Sequence, residues 1–217
     1  MSEFYRARKQ MVDTQLRTNS ISDRRLLATM GEIPRERFVP ESRRALAYID
    51  EQIPLAVAGR ALPAPAPFAR LVQLANVQAG DDVLDVGCAT GYSAAVLGRL
   101  AKSVVAVEPE PVLAADAREN LAALGASNVE VVEAPLDGSG VAAGPFDVII
   151  IEAAVDAVPQ GLFGLLREQG RLVALIGSGM TATAHLFVKT AGEIAGRPDF
   201  NARLPSLVTP QTTEFVF

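Results

Sequence analysis

The residues Val83-Leu84-Asp85-Val86-Gly87-Cys88-Ala89-Thr90-Gly91 put an acid and two glycines in one short run, and Glu108-Pro109 follows seventeen residues beyond Gly91. This spacing suits a nucleotide-like ligand. Gly87 and Gly91 permit a close backbone approach that a Cβ would block. A carboxylate at the end of an adjacent parallel strand can accept from both hydroxyls of a ribose. A dinucleotide turn calls for Gly-x-Gly-x-x-Gly, but here the pattern is Asp85-x-Gly87-x-Ala89-x-Gly91. Acids at both ends would repel a pyrophosphate, whereas a phosphate-free cofactor with a cationic methionyl end tolerates them. S-adenosylmethionine therefore fits the motif better than NAD or a mononucleotide. Asp85 would face the amino or sulfonium end, and Glu108 the ribose. Cofactor candidates along this wall are Asp85, Gly87, Cys88, Ala89, Gly91, Tyr92, Glu108 and Pro109.

These residues need strands and helices to hold them. Val83, Leu84 and Val86 read as a buried strand over 82–87, and Ser93 onward as a helix within 91–100 whose N-terminus faces the ligand. The alternation continues with strand 103–107, helix 110–124 stopped by Gly125, strands 129–133 and 147–151, helix 159–167 and strand 171–176. This predicts an α/β fold, a doubly wound and mostly parallel sheet with helices on both faces. A polar turn, Gly177-Ser178-Gly179, leads to strands at 184–189 and 214–217, read as an antiparallel edge hairpin. Ahead of the sheet, residues 3–19 and 22–30 read as helices, the second capped by Ser22. A proline-dense passage over 50–67 reads either as a rigid linker or as a loop held over the cofactor. The expected division is 1–67, a helical extension with this loop, and 68–217, the cofactor-binding core.

With 217 residues and 49% hydrophobic content, the chain can bury a sizeable core. No apolar run approaches the ~20 residues of a membrane span, and the N-terminus lacks the apolar core of a signal peptide, so a cytoplasmic protein is expected. A lone Cys88 leaves no internal disulfide, and with a lone His185 no cysteine or histidine metal cluster. Both read as packing residues. Residues 1–50 hold ten Lys and Arg against seven Asp and Glu, net +3, while the remainder is net −8. Because the arginines alternate with acids, as in Arg35-Glu36-Arg37, this reads as a solvated helical face and not a nucleic-acid footprint. Oligomeric state is left open.

The chain resembles the protein-L-isoaspartate (D-aspartate) O-methyltransferases, the repair enzymes that methylate the abnormal carboxyl of isoaspartyl residues. The resemblance runs over nearly the whole length. Its most specific part is N-terminal: Gln15-Leu16-Arg17, Asp23, Met30, Ile33-Pro34-Arg35-Glu36, Phe38-Val39-Pro40, Ala47-Tyr48 and Ile53-Pro54-Leu55. Val83 to Leu97 is similar to the family's cofactor strand and turn, with Ala89 where a glycine is usual. Pro145 to Ile150 and Gly170 to Val173 look like its later strand signatures. The resemblance implies a class I methyltransferase sheet with an extra N-terminal helical layer, S-adenosylmethionine as cofactor, and a damaged protein or peptide as substrate.

Two stretches depart from the family. Its acceptor loop, approximately Gly-Gln-Thr-Ile-Ser-Gln-Pro, falls on Gly59-Arg60-Ala61-Leu62-Pro63-Ala64-Pro65, so the threonine is Ala61 and the serine is Pro63. Acceptor candidates in this loop are Arg60, Leu62 and Pro63, with Arg60 able to pair with an acceptor carboxylate. The family's Gly-Asp-Gly turn near the adenine falls on Glu133-Ala134-Pro135-Leu136-Asp137-Gly138, which makes Leu136 and Asp137 the adenine candidates. Methylating a carboxylate that is already ionised at neutral pH needs little acid–base machinery, so the scarcity of His and Cys is no obstacle. Two alternatives stay open: a methyltransferase with another acceptor, and a catalytically degenerate binding or scaffold protein of the same fold.

Overall fold

The computed structural model describes residues 3–177 and 182–205. Helix α1 (Glu3–Met11) runs on through a wide turn, Val12–Leu16, and a tight one, Arg17–Asn19, into helix α2 (Arg24–Glu32). The N-cap of α2 is Asp23 and not the expected Ser22. Its carboxylate accepts from the amides of Arg25 (2.8 Å) and Leu26 (3.2 Å), satisfying two donors that a helix start leaves without partners. Tight turns at Arg35–Phe38 and Glu41–Leu46 lead to a small hairpin, β1 (Ile53–Pro54) with β2 (Ala61–Leu62). Pro65 and Pro67 then open helix α3 (Pro65–Ala75), since proline in a first turn forfeits no helical hydrogen bond.

Then come β3 (Asp82–Val86), α4 (Tyr92–Leu100), β4 (Ser103–Val107), α5 (Pro111–Ala123), β5 (Val129–Val132), β6 (Phe146–Val155), α6 (Gln160–Gly164), β7 (Leu166–Ile176), β8 (Ala182–Thr190) and β9 (Glu193–Ala202). The seven-stranded sheet has the order β5-β4-β3-β6-β7-β8-β9. Its first five strands are parallel, and β8 and β9 are antiparallel. The strand order reverses at β3, which has β4 on one side and β6 on the other. In open α/β sheets this places the ligand crevice at the carboxyl ends of these strands.

The period of two divides the strands between two cores. Val83, Val148, Ile150, Val173 and Leu175 face one layer, which is shared with buried residues of α1 to α5. Leu84, Ile149, Ile151, Leu172 and Ala174 face the other, which includes Leu162 of α6. The first core runs without a break from Met11 to Leu204, so the N-terminal helices share one interior with the sheet.

Three expectations change. The helix expected at 159–167 stops at Gly164, because Leu166 already pairs with Phe146 of β6. β6 and β7 are both longer than the periodicity predicts, and the register shifts twice between them. The hairpin's second strand is β9, unforeseen at 193–202, so His185 in β8 is flanked on both sides, opposite Ala174 and Pro198. Residues 214–217, expected to supply that strand, and Ser178-Gly179 of the polar turn lie outside the described residues. Among those described, no helix is long and apolar enough to cross a membrane.

One buried cation ties the N-terminal layer to the hairpin. Arg35 is fully buried: its Nε donates to the Ala47 carbonyl (2.8 Å), its Nη2 to the Pro63 carbonyl, and its guanidinium lies 4.7 Å from the Tyr92 ring centre. Burial lowers its pKa, opposed by Tyr92. Losing the two hydrogen bonds of this charged donor, at about 1.5–3 kcal/mol each, costs roughly 3 to 5 kcal/mol. Arg35→Ala is expected to lower unfolding free energy by about that amount in urea titration. Arg35→Lys should fail to restore it, since an ammonium has no planar fork.

Candidate active site

The crevice at the carboxyl ends of β3, β4 and β6 gathers three buried carboxylates. Asp85, next to the end of β3, is fully buried. Its Oδ2 accepts from the Ser93 hydroxyl at 2.7 Å, and its Oδ1 has no hydrogen-bond partner among the described residues. Glu108, just past β4, is also fully buried, and Oε2 accepts from the Ala89 amide (2.8 Å) while Oε1 accepts from the Glu110 amide (3.1 Å). Glu152 lies in the carboxyl half of β6 at 4% exposure, with neither oxygen partnered among the described residues.

The turn between β3 and α4 is built for close approach. Gly87 and Gly91 take φ of +87° and +91°, and a Cβ on Gly91 would come within 3.1 Å of the Ala117 Cβ. The amides of Gly87 and Cys88 both donate to the Val107 carbonyl (2.8 and 3.1 Å), which fastens the turn to the end of β4. Ala89 also has a left-handed backbone, φ +50°. That conformation strains an L-residue by roughly 1–2 kcal/mol. Its amide bond to Glu108 holds it there. Tyr92, in the first turn of α4, is buried between Phe38 (ring centres 5.4 Å apart) and Phe68 (5.6 Å). Cys88 is free and buried.

The acceptor-loop candidates forms the opposite wall. Arg60, Leu62 and Pro63 line one cavity with Gly87, Tyr92 and Glu152. Arg60 does not point into open space: Nη1 donates to Glu108 Oε1 at 2.5 Å and Nη2 to Oε2, a bidentate pair in which Arg60 keeps only 12% side-chain exposure. Leu62 is packed in the core, and the Pro63 carbonyl is taken by Arg35. Pro109 follows Glu108 directly and precedes the first turn of α5. Leu136 and Asp137 stand apart, in a neighbouring cavity shared with Val86, Ile151 and Asp156. The Asp137 carboxylate there accepts from the amide (2.8 Å) and hydroxyl (2.6 Å) of Ser139, which closes a local turn.

The sequence reading brings Asp85, the glycine turn and Glu108 to one place, but it misses Glu152. Its only signal is a carboxylate directly after the apolar strand predicted at 147–151. Electrostatically the site is short of cations. Burial pushes the Asp85 carboxyl up to about 7, with the Ser93 hydrogen bond opposing and the charge of Glu108 adding. Glu152 is pushed well above the ordinary carboxylate range by burial and then by Asp85. Buried oxygens without donors, beside a turn that admits close approach, fit a ligand with a positive end and no phosphate.

The family model for protein-L-isoaspartate(D-aspartate) O-methyltransferase matches residues 6–209. A protein-L-isoaspartate O-methyltransferase of Koribacter versatilis is 42% identical over 189 residues, covering 86% of this chain and 84% of that relative. One from Methanoculleus marisnigri is 37% identical over 193 residues, covering 89% and 87%. Among solved structures, a protein-L-isoaspartate O-methyltransferase superposes with TM-score 0.80 at 27% identity, over 93% of this chain and 66% of that one. A putative Plasmodium falciparum counterpart in complex with S-adenosyl-L-homocysteine superposes with TM-score 0.79 at 23% identity, over 93% and 98%, a likeness of fold.

The raised pKa of Asp85 fixes a sign for stability. Unfolded, the carboxyl ionises near 4; folded, near 7. Below pH ~4 both states hold the proton, and as pH rises toward 7 the unfolded state ionises first and is favoured. The ligand-free protein should therefore lose stability across that window, and Asp85→Asn should remove much of the loss. Urea titrations at pH 4.5 and 7.5 are expected to show the variant gaining on the wild type by a few kcal/mol at the higher pH. An equal difference at both would contradict the assignment.

Proposed function

Because the chain belongs to the protein-L-isoaspartate(D-aspartate) O-methyltransferase family, we propose that it transfers the methyl group of S-adenosylmethionine to the side-chain carboxylate of isoaspartyl residues in damaged proteins. The observation that carries this reading is Glu108. It is a fully buried carboxylate fixed by two backbone amides beside a glycine turn, at the point where the sheet order reverses. The two positions that Arg60 fills in the ligand-free protein would suit the two hydroxyls of a ribose. Asp85 and Glu152, with unpartnered buried oxygens, would hold the cationic methionyl end, and the Gly87–Gly91 backbone would lie against it.

When bound, S-adenosylmethionine would supply an electrophilic methyl group, whose transfer to an acceptor oxygen, with the carbon–sulfur electron pair left on sulfur, would give a methyl ester and S-adenosylhomocysteine. The rest of the work is positioning. The acceptor carboxylate is ionised at neutral pH and needs no base, so rate comes from alignment, worth up to ~7–11 kcal/mol in the best intramolecular models. Pro63, Phe68 and Tyr92 give the cleft apolar walls that limit water.

One observation favours a second reading, methylation of a different acceptor. Ala61, Leu62 and Pro63 offer no side-chain hydroxyl, and the Pro63 carbonyl is already occupied by Arg35. In the first reading the partner is a damaged protein or peptide, and in the second the acceptor is a small molecule or another protein group. Two of the N-terminal arginines are turned to internal partners, Arg8 to Glu36 and Tyr48 and Arg25 to the Leu100 carbonyl. A cytoplasmic site of action belongs to the same proposal.

Labelled S-adenosylmethionine should methylate an isoaspartyl peptide and not its aspartyl twin. Equal labelling of both, or binding of cofactor without labelling of either, would favour the second reading. Glu108→Ala should weaken cofactor binding at least about tenfold by calorimetry, from the loss of charge-assisted bonds worth roughly 1.5–3 kcal/mol each.

A further inference from the structure

Four donors use up the Glu108 carboxylate. Oε1 takes the Glu110 amide and Arg60 Nη1, and Oε2 takes the Ala89 amide and Arg60 Nη2. A carboxylate has about four lone-pair positions, so none is left for another ligand. The two amides belong to backbone segments fixed next to Glu108. Only the guanidinium, at the end of a long side chain, can leave without unmaking the turn. Anything that places two hydroxyls on Glu108 must therefore displace Arg60.

Arg60 also has somewhere to go. It stands at the base of the β1–β2 hairpin, whose ladder is only two residue pairs, with the Leu55 amide donating to its carbonyl (3.0 Å) and its own amide donating to the Val57 carbonyl (3.1 Å). The same hairpin carries Ala61, Leu62 and Pro63 along the cleft. Arg60 is the one cationic side chain lining that cavity among the described residues, and neither Ala61, Leu62 nor Pro63 provides a side-chain donor. An acceptor carboxylate entering here would find a single positive partner.

We propose that Arg60 is an exchangeable counter-ion that couples the two substrates: the cofactor's ribose takes its place on Glu108, and the released guanidinium binds the acceptor carboxylate. Cofactor then binds first, and acceptor affinity depends on its presence. The coupling is reciprocal, so the acceptor must tighten cofactor binding by the same factor. The pair with Glu108 also lowers apparent cofactor affinity, because the binding-competent form is only a fraction of the ligand-free protein. Arg60 is thus a specificity-determining residue that takes over from the loop hydroxyls this chain lacks. The inference rests on reading Glu108 as the ribose partner.

Calorimetry with S-adenosylhomocysteine, which occupies the site without reacting, and an isoaspartyl peptide tests it. The wild type should bind the peptide at least tenfold more tightly when S-adenosylhomocysteine is present. Arg60→Gln should bind S-adenosylhomocysteine several-fold more tightly than the wild type, yet bind the peptide weakly with or without it. Arg60→Lys, which keeps the charge and loses the fork, should share the gain in S-adenosylhomocysteine affinity and recover part of the peptide affinity. Wild-type peptide binding that ignores S-adenosylhomocysteine, or weaker S-adenosylhomocysteine binding by Arg60→Gln, would overturn the exchange and leave the cofactor reading intact. A wild type that binds no S-adenosylhomocysteine would overturn both.

Discussion

The buried carboxylate of Glu108 joins segments that are far apart in sequence. Through the Ala89 amide it holds the turn after β3, through the Glu110 amide it holds the start of α5, and through Arg60 it draws in the hairpin that precedes the sheet. Each contact is short and shielded from water, where a charge-assisted bond is worth most and an unpaired charge costs most. The strands set the position of Glu108, since the pairing of Val86 with Val107 brings their carboxyl ends side by side. Sheet register, turn geometry and the access to the cleft are thereby fixed around one side chain.

The same neighbourhood is kept in an unfavourable charge state. Asp85 and Glu152 are buried near Glu108 with Arg60 the only cation on the cavity wall among the described residues, and two of the three carboxyls shift toward their neutral forms. A core chosen for stability alone would hold apolar residues at these positions. The cost is local to the site. At the amino ends of the strands the carboxylates are ordinary paired ones, Asp81 with Arg171 and Asp147 with Arg167, each at 2.5 Å. The two ends of the sheet thus treat the same chemical group in opposite ways, and a ligand with a positive end relieves only one of them.

The sheet was legible because strands buried on both faces are continuous apolar runs, and Asp85 and Glu108 were legible because each breaks such a run at its carboxyl end. Glu152 breaks the run Val148 to Ile151 in the same way, but no glycine turn follows it to set it apart from an ordinary strand end, and β6 continues past it to Val155. Strand β9 carries Gly196, Pro198 and several charges, and these are tolerated because the strand lies at the exposed edge, where propensity is a weak guide. The helix expected at 159–167 was lost to pairing between residues distant in sequence, which local pattern does not record. Arg60 was recognisable as a charged loop residue, but nothing in its neighbours announces a partner forty-eight positions away. Side-chain pairing across elements is what a single sequence conceals.

The left-handed alanine in the cofactor turn has a consequence for observation. The Ala89 amide is buried against Glu108 Oε2, so it can meet solvent only when that carboxylate moves or the turn unwinds. Its hydrogen exchange is therefore a clock for local opening of the cleft, distinct from the global unfolding that governs the amides of β3. A single backbone proton reports how often the two halves of the site come apart.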